Sequence, residues 1–215
     1  MFVFRVQEAD LAGPLVVTSI RERVVDFTKP FMIGNIAAMM KKSHARQFGI
    51  HLVRDLARQS DVKYGAVGGG ATRDFFRSSK VPDYARMWEV MTTDSSSGLV
   101  RTIEEGIQRV LASSDEYPWA LLAHSVAVST RETCDTTIVN SDVRLTLALA
   151  LPLHSPYKDR FNLAVVESRE NGALEAIRTK WFPLVDCESK GTACVSITCF
   201  EHCAWLLAFV YALMR

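Results

Sequence analysis

Short apolar runs alternate along this chain with stretches in which apolar residues recur every three or four positions. Short apolar runs are typical of buried strands, and the longer period is typical of amphipathic helices. The alternation of both kinds of segment favours an α/β fold over a helix bundle or a β-sandwich. The predicted strands are Leu15–Val17, Val24–Phe27, Ile36–Met40, Val62–Val67, Trp119–Ala123 and Arg144–Leu151.

Most of the predicted helices lie between these strands. Thr72 is expected to cap one of them. Another begins at Ser155, with Pro156 in its first position, and ends where Gly172 takes the left-handed conformation. Ser43–Gly49 is polar and irregular, which makes it the predicted junction in the chain. The remaining predicted helices are Val53–Gln59, Arg73–Ser79, Asp83–Met91, Glu104–Leu111 and Ala173–Trp181.

Composition narrows the class of protein. With 215 residues, 48% hydrophobic and 23% charged, the chain can bury a core and form one domain or two small lobes. The net charge is +1 and the basic residues are dispersed, so the sequence lacks the clustered positive charge of a nucleic-acid-binding protein. Binding to DNA or RNA is therefore not expected. Residues 1–5 lack the start of a secretory signal peptide, so the chain is expected either to be cytosolic or to lack its beginning.

The C-terminal tail is apolar from Ala193 to Met214, apart from Glu201 and His202. Its uninterrupted part begins at Cys203 and is shorter than the about 20 residues that cross a bilayer. Counting from Ala193 gives the required length at the cost of one glutamate, which costs about 2.5 to 3.5 kcal/mol at the middle of a membrane helix. A truncated membrane helix is therefore expected over 191–215, with a buried C-terminal helix as the alternative.

A glycine-rich segment, Gly65–Thr72, whose glycine loop begins at Gly68, differs by one residue from a phosphate-binding P-loop. Ala71 stands where a P-loop has the lysine that reaches the phosphates, which argues against a nucleotide. The start of the following helix and the Thr72 hydroxyl still favour an anion such as a carboxylate. An ordinary glycine turn with a capping threonine is the alternative.

Candidate catalytic and metal-binding patterns are weak. The chain has no nucleophile elbow and no zinc-protease helix, and its five histidines are scattered, so we expect no enzyme. Cys199, His202 and Cys203 lie in the apolar tail, where cysteine is usually a small buried residue, so neither a metal nor another cofactor is expected. Spacing alone does not pair the five cysteines.

The segment from Gly13 to Met32 resembles a ligand-binding strand pair of the ionotropic glutamate receptors. Three further segments, Tyr64–Trp88, Glu104–Leu111 and Ser155–Trp181, are similar to the kainate-type branch of that family and occur in the same order. The matches cover most of residues 8–190. The resemblance implies a two-lobed clamshell of the periplasmic-binding-protein type (type II), in which an amino acid binds in the cleft and closure pulls on channel helices.

The same resemblance divides the chain into parts. Residues 1–42 are the end of the first ligand-binding segment, in an incomplete lobe 1, and 43–50 is the junction where the family inserts its pore helices. Residues 51–147 form lobe 2, and 148–190 return to lobe 1. The truncated transmembrane helix follows over 191–215. No pore is encoded.

The resemblance also implies the roles of individual residues. Arg21 corresponds to the arginine that holds the ligand α-carboxylate, a role that suits a planar guanidinium because it can pair bidentately. From residue type alone, Arg21 would be a solvated surface charge. The carbonyl of Pro14 would accept a hydrogen bond from the ligand amine. Ala71 and Thr72 would donate N–H and hydroxyl groups to the distal carboxylate.

Two departures from the family pattern concern this site. Val16 replaces a threonine whose hydroxyl meets the ligand, which removes one hydrogen bond worth about 1 kcal/mol. Leu122, Ala123 or His124 occupies the place of a glutamate that anchors the ligand ammonium group, and none of them is a carboxylate. Loss of a charged partner in a desolvated cleft costs about 2 to 5 kcal/mol, so weak glutamate binding is expected.

The function that follows from the resemblance is a fragment of a kainate-like ionotropic glutamate receptor, a ligand-gated cation channel subunit of the postsynaptic plasma membrane. Its extracellular clamshell would bind an amino-acid neurotransmitter, and its partners would be other subunits of a tetramer and the membrane. Cys134 and Cys187 correspond to a pair that the family joins by a disulfide. The alternatives are a divergent chemosensory ionotropic receptor and a soluble amino-acid-binding protein.

Overall fold

The computed structural model of the protein describes residues 9–93 and 98–182. It confirms the predicted α/β class. The strands are β1 Ala12–Val16, β2 Asp26–Phe27, β3 Met32–Lys41, β4 Lys63–Val67, β5 Leu99–Val100, β6 Trp119–His124 and β7 Thr136–Leu151. The helices are α1 Ser19–Glu22, α2 Lys42–Gln47, a 3₁₀ helix Val53–Arg58, α3 Ala71–Ser78, α4 Pro82–Thr93, α5 Ile103–Ala112, α6 Ser125–Ser129, α7 Lys158–Glu170 and α8 Ala173–Trp181.

The described residues divide into two compact units. Unit 1 comprises residues 9–33 and 145–182, and unit 2 comprises residues 34–93 and 98–144. The chain passes from one unit to the other inside β3 and again inside β7. The division into lobes at residues 42 and 147 remains a prediction about the whole clamshell.

In unit 1, β1 and β2 both pair antiparallel with the C-terminal part of β7. A small core forms on these strands because Val25, Phe27, Ala148 and Ala150 are buried together. Strand β2 is shorter than predicted. The N–H groups of both residues that precede it donate to the carbonyl of Arg21 at 3.0 Å, which places them in the turn that ends α1.

Helix α7 and the turn before it form hydrogen bonds with β2 and with the segment after β2, all within unit 1. The Asp26 carboxylate accepts hydrogen bonds from Lys158 Nζ and from the backbone N–H of His154, both at 2.8 Å. Asn162 accepts from the Lys29 N–H at 2.7 Å. The hydrogen bond from Lys158 is the main reason why the pKa of Asp26 lies below its ordinary value.

In unit 2 the strands follow the order β7-β3-β6-β4-β5. Strand β6 pairs antiparallel with β3 and parallel with β4, and β4 pairs parallel with β5. All six residues of β6 are buried, which explains why its sequence is an apolar run without polar alternation. Three of its residues, Trp119, Leu121 and Ala123, form a core cluster with Met39, Val100, Ile107, Val110 and Val128.

The prediction that Ser43–Gly49 is irregular is wrong, because the chain forms helix α2 over Lys42–Gln47. The junction at residues 43–50 stays a prediction. The helix buries His44 and Ala45, and His44 Nε2 lies 3.1 Å from Asp115 Oδ1. A helix of six residues is too short to show the repeated apolar spacing by which longer helices are predicted. Its polar composition therefore concealed it.

The start of α7 also differs from the prediction. The helix begins at Lys158, after Tyr157, rather than at Ser155 and Pro156. The Ser155 hydroxyl accepts from the Tyr157 N–H at 3.4 Å, so this serine forms a turn before the helix. The predicted end is confirmed, since Gly172 has φ 79°, in the left-handed region, between α7 and α8.

None of the helices within residues 9–93 and 98–182 is long and apolar enough to cross a membrane. The predicted membrane helix over 191–215 lies outside the described residues.

Candidate functional site

Arg21 lies in a four-residue helix, α1, directly after strand β1. Thr18 begins the helix in extended conformation, and its hydroxyl accepts from the Arg21 N–H at 3.4 Å. This cap converts the end of the strand into a helical turn. The predicted strand-turn-strand unit therefore contains a short helix, which fixes the backbone that carries Arg21.

The Arg21 guanidinium is directed back toward the end of strand β1. Its Nη1 donates to the carbonyl of Val16 at 2.8 Å, and the side chain is half-buried. Val16 is the residue that replaces the family's threonine. Its backbone thus orients the arginine although its side chain offers no hydroxyl, a contact that sequence reasoning did not identify because any residue has a carbonyl.

Pro14 lies at an irregularity of strand β1. Ala12 is opposite Ala150 and Leu15 is opposite Ala148, so three steps along β1 match two steps along β7. This is a β-bulge, and bulges change the direction of the groups that they carry. The structure thus places Pro14 in the middle of β1 and Arg21 in the short helix that follows this strand, both in unit 1.

The glycine loop lies in unit 2, between β4 and α3. Gly68 donates to the carbonyl of Val100 at 2.8 Å, and Gly70 has φ 93°, which a residue with a side chain rarely adopts. Helix α3 begins directly afterwards, with Ala71 and Thr72 as its first two residues. N–H groups in the first turn of a helix have no acceptor within that helix, so this loop can donate to an anion.

The prediction that Thr72 caps this helix is wrong. Gly70 occupies the cap position and makes no side-chain hydrogen bond, and the helix starts two residues earlier than predicted. The glycine conformation turns the chain into the helix without a capping hydroxyl. Thr72 therefore belongs to the first turn, where its N–H and hydroxyl lie at the same end of α3.

Arg73 braces this loop. Its Nη1 donates to the carbonyl of Gly68 at 2.8 Å, and its Nε donates to Asp74 Oδ1 at 3.0 Å. The guanidinium thereby joins the loop to the first turn of α3. From the sequence, Arg73 was predicted only as the first residue of a helix, because the contact depends on how the loop folds back.

Of the three residues that were candidates for the missing carboxylate position, only His124 lies at the end of β6. Leu122 is opposite Ala66 of the parallel strand β4, and both belong to the interior of the sheet. Since β4 and β6 run in the same direction, their C-terminal ends reach the same edge, which is the usual place for ligands in α/β sheets. The glycine loop follows the C-terminal end of β4, and His124 is the C-terminal residue of β6.

The imidazole of His124 is buried and holds the start of α6. Its Nδ1 accepts from the Val126 N–H at 3.2 Å. An acceptor Nδ1 places the ring proton of a neutral histidine on Nε2. This position in unit 2 therefore carries an imidazole where the resemblance implies an anion.

The remaining predicted sites are tested only in part by the described residues. Cys134 is exposed, and Cys187, its predicted disulfide partner, lies outside the described residues. In the part of the chain that the structure describes, no cluster of three or more histidine, cysteine or acidic side chains could hold a metal ion.

Comparisons with known proteins support the resemblance. No protein-family model matches the chain. It is 38% identical over 140 residues to a glutamate receptor of Lymnaea stagnalis, which covers 64% of this chain and 15% of that protein. It is 35% identical over 131 residues to the human ionotropic glutamate receptor kainate 1, which covers 60% of this chain and 14% of that protein. The matches thus span about one seventh of these relatives.

A solved structure, the Drosophila muscle GluRIIB complex with glutamate, has the same fold. The TM-score is 0.76 at 26% identity, and the superposition covers 85% of this chain and 71% of that chain. The predicted clamshell-type α/β fold is thereby confirmed, and the relatives are receptors, in agreement with the prediction that the chain is no enzyme. The chain is thus similar in sequence to ionotropic glutamate receptors and has the fold of a glutamate-receptor ligand-binding domain.

Proposed function

We propose that this chain is part of a ligand-gated cation channel subunit whose clamshell domain binds an amino-acid neurotransmitter related to glutamate. The observation that carries this proposal is the fold shared, over 85% of the chain, with a receptor domain whose structure is a complex with glutamate. The whole subunit would act at the plasma membrane with its ligand-binding part extracellular, as one member of a tetramer. Residues 191–215 would attach it to the membrane.

Each unit offers a group suited to one end of such a ligand. In unit 1, the hydrogen bond to the Val16 carbonyl gives the planar Arg21 guanidinium a defined direction, and this group would pair with the α-carboxylate. The Pro14 carbonyl would accept from the amine. In unit 2, Ala71 and Thr72 at the start of α3 would donate to the distal carboxylate, supported by the positive end of the helix dipole.

We further propose that the ligand binds weakly because its ammonium group lacks a carboxylate partner. The end of β6 carries His124, whose buried imidazole replaces the expected anion. An ammonium group that enters a desolvated site without a carboxylate partner loses hydration that it does not recover. The loss corresponds to about 2 to 5 kcal/mol, which would place L-glutamate binding at millimolar concentrations or weaker.

Kainate-type identity is the finer part of the proposal. Its support is the 35% identity to a human kainate receptor and the match of Glu104–Leu111, which forms most of helix α5. The substitutions at Val16 and His124 instead favour a divergent chemosensory receptor of the same fold. The preferred ligand would distinguish these two classes of receptor. A kainate-type site would bind glutamate in preference to other small molecules, and a divergent chemosensory site would prefer another small molecule.

The proposed ligand site is tested by calorimetric titration of the full chain with L-glutamate. We expect binding too weak for micromolar titration in the wild type, and His124→Glu should strengthen it by at least about tenfold relative to His124→Gln, because a carboxylate would pair with the ammonium. His124→Gln is the matched control, since it removes the imidazole without adding charge. Micromolar binding by the wild type, or equal affinities of the two variants, would contradict the proposed role of this position.

Membrane attachment is tested separately. After expression of the full chain, carbonate extraction should leave it in the membrane fraction. Release of the chain into the soluble fraction would contradict the proposed anchor and favour the soluble amino-acid-binding protein.

A further inference from the structure

Unit 2 contains a cavity beside helix α2, and none of the residues proposed to bind the amino acid lines it. Its volume is about 440 Å³, within the range of about 300 to 1,000 Å³ that small-molecule sites occupy. The walls come from α2, from the turn that follows it and from the N-terminal part of β7. The lining residues are Lys42, Ala45, Arg46, Ile50, His51, Leu52 and Thr137–Asn140.

The chemistry of this cavity is one-sided. Lys42, Arg46 and His51 contribute nitrogen-bearing basic side chains, and among residues 9–93 and 98–182 no aspartate or glutamate lines it. The nearby Asp55 carboxylate is occupied by the N–H groups of His51 and Leu52, at 3.0 and 2.8 Å. Burial raises the pKa of Glu132, and the positive charge of Lys42 opposes that rise, so Lys42 already interacts with one carboxyl group. Arg46 and His51 are therefore the groups on which an anion would depend most.

Arg46 is suitably placed for this role. It is exposed on α2, and among the described residues no ion pair includes Arg46 or His51. Helix α2 itself is held in place, because Lys42 N–H donates to the Asp135 carbonyl at 2.8 Å and Ile50 N–H donates to the Ala45 carbonyl at 2.9 Å. The backbone that carries the basic residues is thus bonded to the residue just before β7 and to its own turn.

The other surface of the cavity is apolar. Ala45, Ile50 and Val139 are buried, with exposed fractions of 8%, 3% and 7%, and they present hydrocarbon to the space. Thr137 and Asn140 add neutral hydrogen-bonding groups from β7. A ligand that fits both surfaces has an anionic group for the arginine and an apolar body for the buried side chains.

We propose that this cavity binds a small organic monocarboxylate with an apolar body, at a site separate from the one that contains Arg21, Ala71 and Thr72. The carboxylate pairs with Arg46 and receives further hydrogen bonds from His51 or Asn140. The apolar body packs against Ala45, Ile50 and Val139. This inference does not rest on the proposed receptor function, because every residue that carries it lies in unit 2 and outside the glycine loop.

The test is an NMR titration of the isotope-labelled full chain with benzoate, followed through backbone amide signals. Benzoate should shift the signals of residues 42–52 and 137–140 with one common dissociation constant. Benzyl alcohol has the same ring without the charge, and acetate has the charge without the ring, so both should bind more weakly. Arg46→Gln should raise the dissociation constant for benzoate about threefold to fivefold, the factor expected for a partly exposed ion pair.

Two control variants separate this site from other effects. Arg160→Gln removes an exposed arginine of unit 1 and should leave the benzoate affinity unchanged. Arg21→Gln should also leave the shifts at residues 42–52 unchanged, even if benzoate shifts signals near Arg21. Absence of shifts in the cavity, equal binding of benzyl alcohol or acetate, or an unchanged affinity of Arg46→Gln would each overturn the proposal.

Discussion

The two units present their candidate ligand groups by different means. In unit 1 the group is one charged side chain, Arg21, which the carbonyl of Val16 holds at 2.8 Å. In unit 2 the groups are mainly backbone N–H donors at the start of α3, and their positions depend on Gly70 and on the brace from Arg73. The first site depends on residue identity, and the second depends on chain conformation.

This difference determines which substitutions are informative. A change of side chain should affect the Arg21 site while the fold is retained. A change of backbone freedom should affect the glycine loop through stability, because the loop continues directly from the buried strand β4. The predictions below test this contrast.

The largest expected effect is that of Gly65→Ala in β4, just before the loop. An added Cβ would overlap the carbonyl oxygen of Gly98 and lie 2.8 Å from its carbonyl carbon. Backbone atoms do not move aside cheaply, so the free energy of unfolding should fall by about 3 kcal/mol. Urea unfolding monitored by tryptophan fluorescence measures this loss. A loss below about 1 kcal/mol would show that β4 and residue 98 are not packed as described.

A smaller effect is expected for Gly70→Ala. The backbone at Gly70 has φ 93°, and an alanine there should cost about 1 to 2 kcal/mol of unfolding free energy. Gly69→Ala is a matched control, because a Cβ meets no atom within 4 Å at either position and Gly69 has no positive φ. Chemical unfolding of both variants gives the comparison. Equal losses would contradict the claim that conformation, rather than space, requires glycine at residue 70.

In unit 1, Thr18→Ala removes the hydroxyl that caps α1. We expect a loss of about 0.5 to 1 kcal/mol in the free energy of unfolding, since the capping hydrogen bond to Arg21 N–H is long at 3.4 Å. Thr18→Ser keeps the hydroxyl and should retain most of the stability. If Thr18→Ser and Thr18→Ala are equally destabilised, the methyl group of Thr18 matters and the cap does not.

The smallest effect concerns the pH dependence of unit 1. The hydrogen bond from Lys158 lowers the pKa of Asp26 below its ordinary value of 3.8. A lowered pKa stabilises the fold above the ordinary value, and this contribution disappears as the pH falls through the folded-state pKa. The free energy of unfolding of Asp26→Asn should therefore be lower by about 0.2 to 0.5 kcal/mol at neutral pH, and this difference should vanish in acid. Unfolding curves at several pH values, with the exposed Asp61→Asn as control, measure it.

If Asp26→Asn is as stable as the wild type at neutral pH, the contact with Lys158 contributes nothing to the fold. An identical acid dependence of Asp26→Asn and Asp61→Asn would lead to the same conclusion.

Sequence patterns predicted much of the fold because most elements are either buried strands or periodic helices. Strand β6 was predicted to within one residue, since its apolar run is continuous, and α8 was predicted with both ends correct. Helix α2 was missed because six residues contain less than two turns of periodicity. Local apolar pattern therefore predicts long or buried elements and fails for short polar ones.

The candidate site was predictable only where side-chain identity carries the information. The resemblance indicated Arg21 and the glycine loop. The Val16 carbonyl and the Arg73 brace are contacts with backbone oxygens, which every residue type provides. Which of Leu122, Ala123 and His124 takes the place of the glutamate stays a prediction, and the strand bounds show only that His124 is the one at the end of β6. Register and loop conformation depend on tertiary structure, which explains these gaps.

The central claim is that Arg21 and the loop at Ala71 and Thr72 bind the same amino-acid ligand. NMR titration of the isotope-labelled full chain with L-glutamate at millimolar concentrations tests it most directly. We predict that the amide signals of residues 18–21 and 68–72 shift with one common dissociation constant, that Arg21→Gln abolishes both sets of shifts, and that Arg160→Gln preserves them. Shifts confined to one segment, or shifts that persist in Arg21→Gln, would contradict the account.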